Sequence, residues 1–150
     1  MDIKSFLAPG DAVVDVRASD KTRLLTELCK RAAASLQLDA DTVSGDILKR
    51  EDLGSTGVGG GVAIPHARIG GLKAPFGILA RLRKAIDFDA IDGQPVDIVF
   101  LLLLPTAPAG EQLNALASVA RKLRDPKIVR DLRRASDSTS LYHALISATA

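Results

Sequence analysis

The chain has 150 residues, of which 47% are hydrophobic, 25% are charged and 3% are aromatic, and its net charge is +2. This length and composition are typical of one compact soluble domain, so we expect residues 1–150 to form a single domain. The small net charge does not indicate binding to nucleic acid or to a membrane surface. The only cysteine, Cys29, excludes an intrachain disulfide and favours a reducing compartment.

No segment predicts membrane insertion. The N-terminus, Met1–Lys4, lacks the apolar core of a signal peptide. The longest apolar run, Ile98–Leu104, has seven residues and ends at Pro105, whereas a membrane-spanning helix needs about 20. The run instead predicts a strand that is buried on both faces.

The N-terminal half alternates strand and helix patterns. A short strand is predicted over Ala12–Val16, and Ser19 is predicted to cap a helix that runs to about Leu36. Asp41 is predicted to cap a second helix that ends at about Glu51. Cys29 lies in the first helical pattern, where we expect a small buried side chain.

Strand patterns follow, and helical patterns complete the chain. Strands are predicted over Ser55–Val58, Val62–Ile64, Gly77–Leu82 and Val96–Leu104, with a turn at Ile91–Gln94. Helices are predicted over Ala109–Leu123, from Pro126 after Asp125 to about Arg134, and from a Ser138 cap through Ile146. The predicted fold class is an α/β sandwich, a mixed central β-sheet flanked by helices.

The segment from Arg50 to His66 contains the residues best suited to handle a phosphoryl group. His66 directly follows Pro65, which stiffens the approach to it, and five glycines lie earlier in the segment. Neutral imidazole is a good nucleophile at pH 7 because its reference pKa is near 6.5. It can accept a phosphoryl group on one ring nitrogen while the other carries the proton. His66 is therefore the candidate phosphoryl acceptor.

The same segment supplies candidate phosphate ligands. The planar guanidinium of Arg50 can pair with two phosphate oxygens, and the hydroxyls of Ser55 and Thr56 can donate further hydrogen bonds. Backbone N–H groups around Gly57 can approach oxygens closely, because glycine has no Cβ. We therefore predict that Arg50 stabilises the phosphate and that Ser55, Thr56 and Gly57 bind it.

Other interpretations of the glycines are weaker. A P-loop requires a lysine, and none occurs between Arg50 and Lys73. A dinucleotide fingerprint requires a third glycine where the chain has Val62. If only the glycines and the histidine are considered, the alternative to a phosphate site is a plain glycine-rich turn between two short strands. No metal-ligand spacing or nucleophilic triad is found, so neither a metal nor a cofactor is predicted.

The full string R-E-x-x-G-S-T-G-x-G-x-G-x-A-I-P-H is far more specific. It resembles the phosphohistidine motif of the enzyme IIA component of the bacterial sugar phosphotransferase system, in its fructose/mannitol and nitrogen-regulatory branch. The resemblance extends over essentially the whole chain and includes Val13–Val16, Phe88–Asp97 and the leucine-rich strand that ends at Pro105. It implies the mannitol/fructose-type IIA fold.

The resemblance also implies a function. It implies a cytoplasmic phosphocarrier that accepts a phosphoryl group on His66 from an HPr- or NPr-type protein, with Arg50 as the active-site arginine. Such a protein passes the group to a IIB component, or acts as a regulatory module whose docking on a target changes with phosphorylation. A chain without an attached IIB or IIC region is more typical of the nitrogen-regulatory branch.

One position departs from the resemblance. Related proteins usually have a second histidine at the start of the helix after the leucine-rich strand, where this chain has Gln112. The Gln112 amide can donate a hydrogen bond to phosphate but supplies neither charge nor a proton relay. The other histidine, His143, lies in the last helical pattern, where we expect a surface or structural residue.

A basic run occupies Arg121–Arg134, with seven cations against Asp125 and Asp131. Two interpretations are open. The run is either the solvated face of two helices, which we favour, or a docking surface for an acidic partner.

Overall fold

A computed structural model describes residues 2–106 and 109–146, with the side chains of residues 109–113 outside the described part. The helices in this part are α1 (Lys21–Leu36), α2 (Ala40–Asp52), α3 (Ala109–Leu123), α4 (Pro126–Arg134) and α5 (Ser138–Ile146). Short 3₁₀ turns at Ile3–Ser5 and Pro9–Asp11 precede the first strand. Within the described ranges, no helix is both long enough and apolar enough to cross a bilayer.

The described strands form one six-stranded sheet in the order β1-β5-β6-β3-β2, and β4 pairs separately with β6. Their bounds are β1 (Ala12–Val16), β2 (Gly57–Gly59), β3 (Val62–Ala63), β4 (His66–Ile69), β5 (Phe76–Ile86) and β6 (Val96–Pro105). Strand β6 is antiparallel to β5 and parallel to β3 and β4, while β1 is parallel to β5 and β2 is antiparallel to β3. The predicted mixed sheet with flanking helices is thus confirmed.

Strand β6 is buried on both faces, as its apolar run predicts. Alternate side chains of a strand point to opposite faces, so β6 contributes to two separate cores. One core, shared with α3, α4 and α5, contains Ile98, Phe100 and Leu102, and the other, shared with α1 and α2, contains Val99, Leu101 and Leu103. Burying each such side chain stabilises the fold by roughly 1.5–3 kcal/mol.

Three helices are capped by an aspartate that lies one or two residues away from the predicted cap. The caps are Asp20 rather than Ser19 for α1, Asp39 rather than Asp41 for α2, and Asp137 rather than Ser138 for α5. Each carboxylate accepts a hydrogen bond from the backbone N–H three residues later, at 2.7–3.0 Å. The hydroxyls of Thr42 and Ser140 also donate to Asp39 and Asp137, and these bonds, followed by the backbone N–H bonds, lower the pKa of both carboxyls.

Apart from shifts of one residue at strand ends, the strands differ from the predictions in three places. Strand β5 extends past the predicted Gly77–Leu82, because Arg83 and Lys84 interrupt the apolar pattern without ending the strand. Strand β2 begins at Gly57, two residues after the predicted start. Strand β4 has no counterpart among the predictions, since only four residues separate the start at His66 from the turn that follows.

Cys29 is fully buried in α1, as predicted. Burial raises the pKa of its thiol to about 12, because the charged thiolate is disfavoured away from water. The residue therefore acts as a small core side chain and carries no reactive thiolate near neutral pH.

Candidate functional site

His66 is fixed to the central strand of the sheet. It is the first residue of β4, and its Cα is paired with that of Leu102 in β6. The carbonyl of Pro65, just before it, accepts the backbone N–H of Leu102 at 2.9 Å. The sheet therefore determines the backbone position of the candidate nucleophile.

A backbone carbonyl orients the His66 ring. Nδ1 lies 2.7 Å from the carbonyl oxygen of Ile64, and the side chain is half-buried. A carbonyl oxygen can only accept a hydrogen bond, so Nδ1 carries the proton in this contact. In the neutral ring, Nε2 then holds the free electron pair, as a phosphoryl acceptor requires.

His66 opens onto a cleft of about 480 Å³ that also includes Arg50, so the structure brings these two predicted residues together. The cleft is lined by Asp46, Lys49, Arg50, Leu53, His66, Ala67, Arg68, Leu104 and Leu116. Three of these side chains are cationic and one is anionic. The lining therefore combines positive charge suited to an anion with apolar side chains suited to contact.

The Arg50 guanidinium bridges the end of α2 and the loop after it. Nη1 donates a hydrogen bond to the carbonyl of Gly54 at 3.0 Å, and the side chain is half-buried. A guanidinium has five N–H donors, so most of its donors are not used by this bond. Arg50 is thus held in place with capacity for further oxygen acceptors.

The sequence predictions missed Arg68 and Lys49. Arg68 lies two residues after His66 in β4, and alternate residues of a strand share one face. It is exposed and lines the same cleft as His66. Recognising that β4 begins at His66 would have identified Arg68, because the period of two then places both side chains together. Lys49 directly precedes Arg50 at the end of α2 and lacks a comparable pattern.

Ser55 and Thr56 do not line this cleft, and their hydroxyls bind protein groups. Ser55 Oγ donates a hydrogen bond to the carbonyl of Phe88 at 2.8 Å and accepts the N–H of Gly57 at 3.0 Å. Thr56 is buried, and both its hydroxyl and its N–H donate to the carboxylate of Glu51. Both side chains hold the loop between α2 and β2.

Gly57 also serves the packing of this region. A Cβ at this position would lie 2.8 Å from Cβ of Ala90 and 2.9 Å from its Cα. The carbonyl of Gly57 accepts the N–H of Ile91 at 3.3 Å. Only glycine lets β2 approach the 87–92 segment this closely.

The predicted residues on the C-terminal helices lie in different surroundings. Gln112 is in the first turn of α3, and its side chain lies outside the described residues. Leu116, one helical turn later, lines the cleft, so α3 borders it. His143 is exposed on α5 with its ring edge-on to Tyr142, which confirms the expected surface position.

Comparison with known proteins identifies the family. Residues 5–148 match the family described as "Phosphoenolpyruvate-dependent sugar phosphotransferase system, EIIA 2". Over 145 residues, the chain is 42% identical to a nitrogen regulatory protein of Bradyrhizobium diazoefficiens, and the match covers 97% of this chain and 95% of that protein.

Solved structures agree with this match. The crystal structure of nitrogen regulatory protein IIA-Ntr from Neisseria meningitidis superposes with a TM-score of 0.89 at 35% identity, covering 95% of this chain and 98% of that one. IIA mannitol from Escherichia coli superposes with a TM-score of 0.72 at 16% identity, covering 91% and 96%, which shows the shared fold. The chain therefore belongs to the EIIA 2 family of the phosphoenolpyruvate-dependent sugar phosphotransferase system and is similar to its nitrogen regulatory proteins.

Proposed function

We propose that the protein is a phosphocarrier that accepts a phosphoryl group on Nε2 of His66 from an HPr- or NPr-type phosphohistidine protein. The observation that carries the proposal is the 2.7 Å contact between His66 Nδ1 and the Ile64 carbonyl. It leaves Nε2 as the nucleophilic nitrogen at a cleft with three cationic side chains. The carrier would be stoichiometric, because the phosphoryl group stays on the protein until an acceptor takes it.

The transfer step exchanges one P–N bond for another. The electron pair of His66 Nε2 attacks the phosphorus of the donor phosphohistidine. The P–N bond of the donor breaks, and its electron pair returns to the donor imidazole. The proton stays on Nδ1 of His66, hydrogen-bonded to the Ile64 carbonyl, throughout the transfer, so the site needs no additional acid or base.

Electrostatic stabilisation is the main contribution that phosphoryl transfer requires from a protein. We assign this role to Arg50 and Arg68, with Lys49 adding positive charge at the rim. The guanidinium of Arg50 is already positioned by the Gly54 carbonyl, which reduces the ordering required when phosphate binds. For Ser55, Thr56 and Gly57, phosphate binding stays a prediction; their contacts support a role in shaping the loop whose Gly54 carbonyl positions Arg50.

The phosphorylation state is proposed to act as a regulatory signal in the cytoplasm. The similarity to nitrogen regulatory proteins supports this role, in which docking on a target protein changes when negative charge is added at His66. The alternative is a transport role in which the group passes to a fructose- or mannitol-type IIB protein, and the sugar-system family description supports that role.

The test is incubation with a phosphorylated HPr-type protein, followed by intact mass measurement and mapping of the modified residue. We expect one added phosphoryl group, acid-labile and base-stable, on His66. His66→Ala should remove the label and keep the fold, whereas the matched variant His143→Ala should be labelled as the wild type is. Label on the His66→Ala protein would contradict the proposal.

A second assay separates the two roles. Phosphorylated protein is mixed with a purified fructose- or mannitol-type IIB protein, and loss of label from His66 is followed over time. Rapid transfer to IIB would favour transport. Retention of label, together with a target interaction that differs between the two phosphorylation states, would favour regulation.

A further inference from the structure

A second cleft lies at the other end of the sheet from His66. Gly77 and His66 both pair with Leu102, from opposite sides of β6, so the start of β5 lies at the His66 end of the sheet. Arg83 is six residues further along β5, roughly 20 Å away at the rise of a strand. Here a cleft of about 640 Å³ is lined by Arg17, Ala18, Ser19, Arg83 and Lys84.

The charges of this basic cleft are not balanced by the protein. Arg17, Arg83 and Lys84 are all exposed, and no carboxylate lines the cleft. None of the three forms an ion pair in the part of the chain that the structure describes. Three like charges around one concavity repel each other, and a bound anion relieves that repulsion.

The carboxylate adjacent to Ser19 already has partners within the protein. Asp20 accepts the backbone N–H of Arg23 at 2.8 Å and lies 3.7 Å from the guanidinium of the same residue. It therefore serves as the N-terminal cap of α1 and the partner of Arg23. The cations of the cleft keep their capacity for an external anion.

Irregular backbone on both strands positions the basic side chains. The pairing of β1 with β5 shifts register between Val13 and Val16, and Asp15 adopts a left-handed φ of 54°. Arg17 follows this irregularity directly. The pairing of β5 with β6 shifts register between Arg81 and Ile86, which spans the positions of the other two cations. Such irregularities commonly re-aim side chains beside functional sites.

We propose that the basic cleft binds a small multivalent phosphate anion, either inorganic pyrophosphate or the polyphosphate group of a nucleotide. Two guanidinium groups and one ammonium match several phosphate oxygens at once, and the Ser19 hydroxyl adds a donor. The volume falls in the range of small-molecule sites, about 300–1,000 Å³. A cleft of this volume accommodates a compact anion, and this site acts independently of His66.

The test is isothermal titration of the unphosphorylated protein with pyrophosphate, ATP and orthophosphate in separate experiments. The double variant Arg83→Gln/Lys84→Gln removes two charges from the cleft. The matched control Lys127→Gln/Arg130→Gln removes two exposed charges from α4. We expect one pyrophosphate site that the cleft variant weakens at least about tenfold, because charge-assisted bonds are lost, and that the control changes less than about twofold.

The separate titrations show which part of the ligand the cleft recognises. Equal affinity for pyrophosphate and ATP identifies the phosphate chain as the recognised group, whereas tighter binding of ATP shows that the nucleoside also contributes. If the cleft variant does not fold, NMR of the wild-type protein replaces it. Pyrophosphate should then shift the amide resonances of residues 17–19 and 83–84, and unchanged resonances there would contradict the proposal.

Four results would overturn the proposal. The first is that none of the three anions binds, and the second is that the cleft and control variants weaken pyrophosphate binding equally. The third is that Arg50→Gln loses pyrophosphate binding, and the fourth is that the protein binds polyglutamate but none of the three anions. The third would assign the anion to the His66 cleft, and the fourth would assign the surface to an acidic protein partner.

Discussion

The carboxylate of Glu51 accepts both the backbone N–H and the hydroxyl of Thr56, and so closes the loop between α2 and β2. Glu51 is buried, and its second partner is the Lys21 ammonium of α1 at 2.8 Å. The same ammonium lies 4.6 Å from the ring centre of Phe88. This network holds the loop whose Gly54 carbonyl positions Arg50, so it stabilises the position of Arg50 in the candidate site.

Glu51→Gln should therefore lower the stability of the fold. The substitution leaves the Lys21 ammonium without its anion in a mostly buried position, and we expect a loss of about 2–4 kcal/mol in the free energy of unfolding. Urea denaturation measures it. Thr56→Ser keeps the hydroxyl and should lose less than about 1.5 kcal/mol. An unchanged unfolding free energy in Glu51→Gln would show that the network contributes nothing net.

Arg50→Lys should keep the fold and slow phosphoryl transfer to His66. Lysine retains the charge but cannot bind two phosphate oxygens in the planar geometry of a guanidinium. Loss of one charge-assisted hydrogen bond, about 1.5–3 kcal/mol, corresponds to a rate loss of roughly tenfold to a hundredfold. Rapid-quench kinetics with a phosphorylated HPr-type donor measures it, and Arg130→Lys on exposed α4 is the matched control. Wild-type rates in Arg50→Lys would assign Arg50 a structural role only.

Arg68→Gln should slow the same step about tenfold without changing stability. The side chain is exposed and makes its proposed contribution only when phosphate is present. Its removal should therefore leave the free energy of unfolding unchanged. Arg68→Lys should recover part of the rate because the charge is restored. Transfer kinetics and urea unfolding on the same samples separate the two effects. A rate loss in Arg68→Gln that matched a loss of stability would argue against direct phosphate stabilisation.

Much of the fold follows from local patterns, and the exceptions have physical causes. The apolar run of β6, the stripe of α3 and the start of α4 at Asp125 and Pro126 predicted those elements with nearly the observed bounds. The caps were displaced because serine and aspartate are almost equivalent as caps, so adjacent candidates such as Ser19 and Asp20 compete. Strand β4 was missed because it is too short to show a period before its turn.

The candidate site was only partly predictable for a different reason. His66 and Arg50 carry chemistry that few residue types supply, and the structure places both at one cleft. Ser55 and Thr56 supply hydroxyls that serve equally well in loop hydrogen bonds, and only tertiary contacts with Phe88 and Glu51 reveal that use. Local sequence cannot distinguish these two uses of a hydroxyl.

Asp92 should make stability depend on pH in the acid range. Its carboxylate accepts the N–H groups of Gly60 and Gln94 at 3.0 and 3.1 Å, which lowers its pKa. A lowered folded-state pKa contributes stability that is present above the unfolded value, near 3.9, and is lost as the pH falls through the folded value. Asp92→Asn should therefore flatten the decline in urea midpoint as the pH falls below the unfolded value. An identical pH profile for both proteins would contradict this contribution.

Gln112→His should make phosphorylation chemistry at His66 depend on pH. Position 112 lies in the first turn of α3, one turn before Leu116, which lines the cleft. Helix N-termini favour anions, and a histidine there would add charge when protonated, whereas glutamine stays neutral. We expect the lifetime of phospho-His66, or its transfer rate, to vary between about pH 5.5 and 7.5 in the variant, where histidine titrates. The measurement is decay and transfer of the labelled phosphoprotein across that range, with Ser118→His, six residues nearer the C-terminus of α3, as the control. Superimposable profiles for Gln112→His and the wild type would place position 112 outside the site.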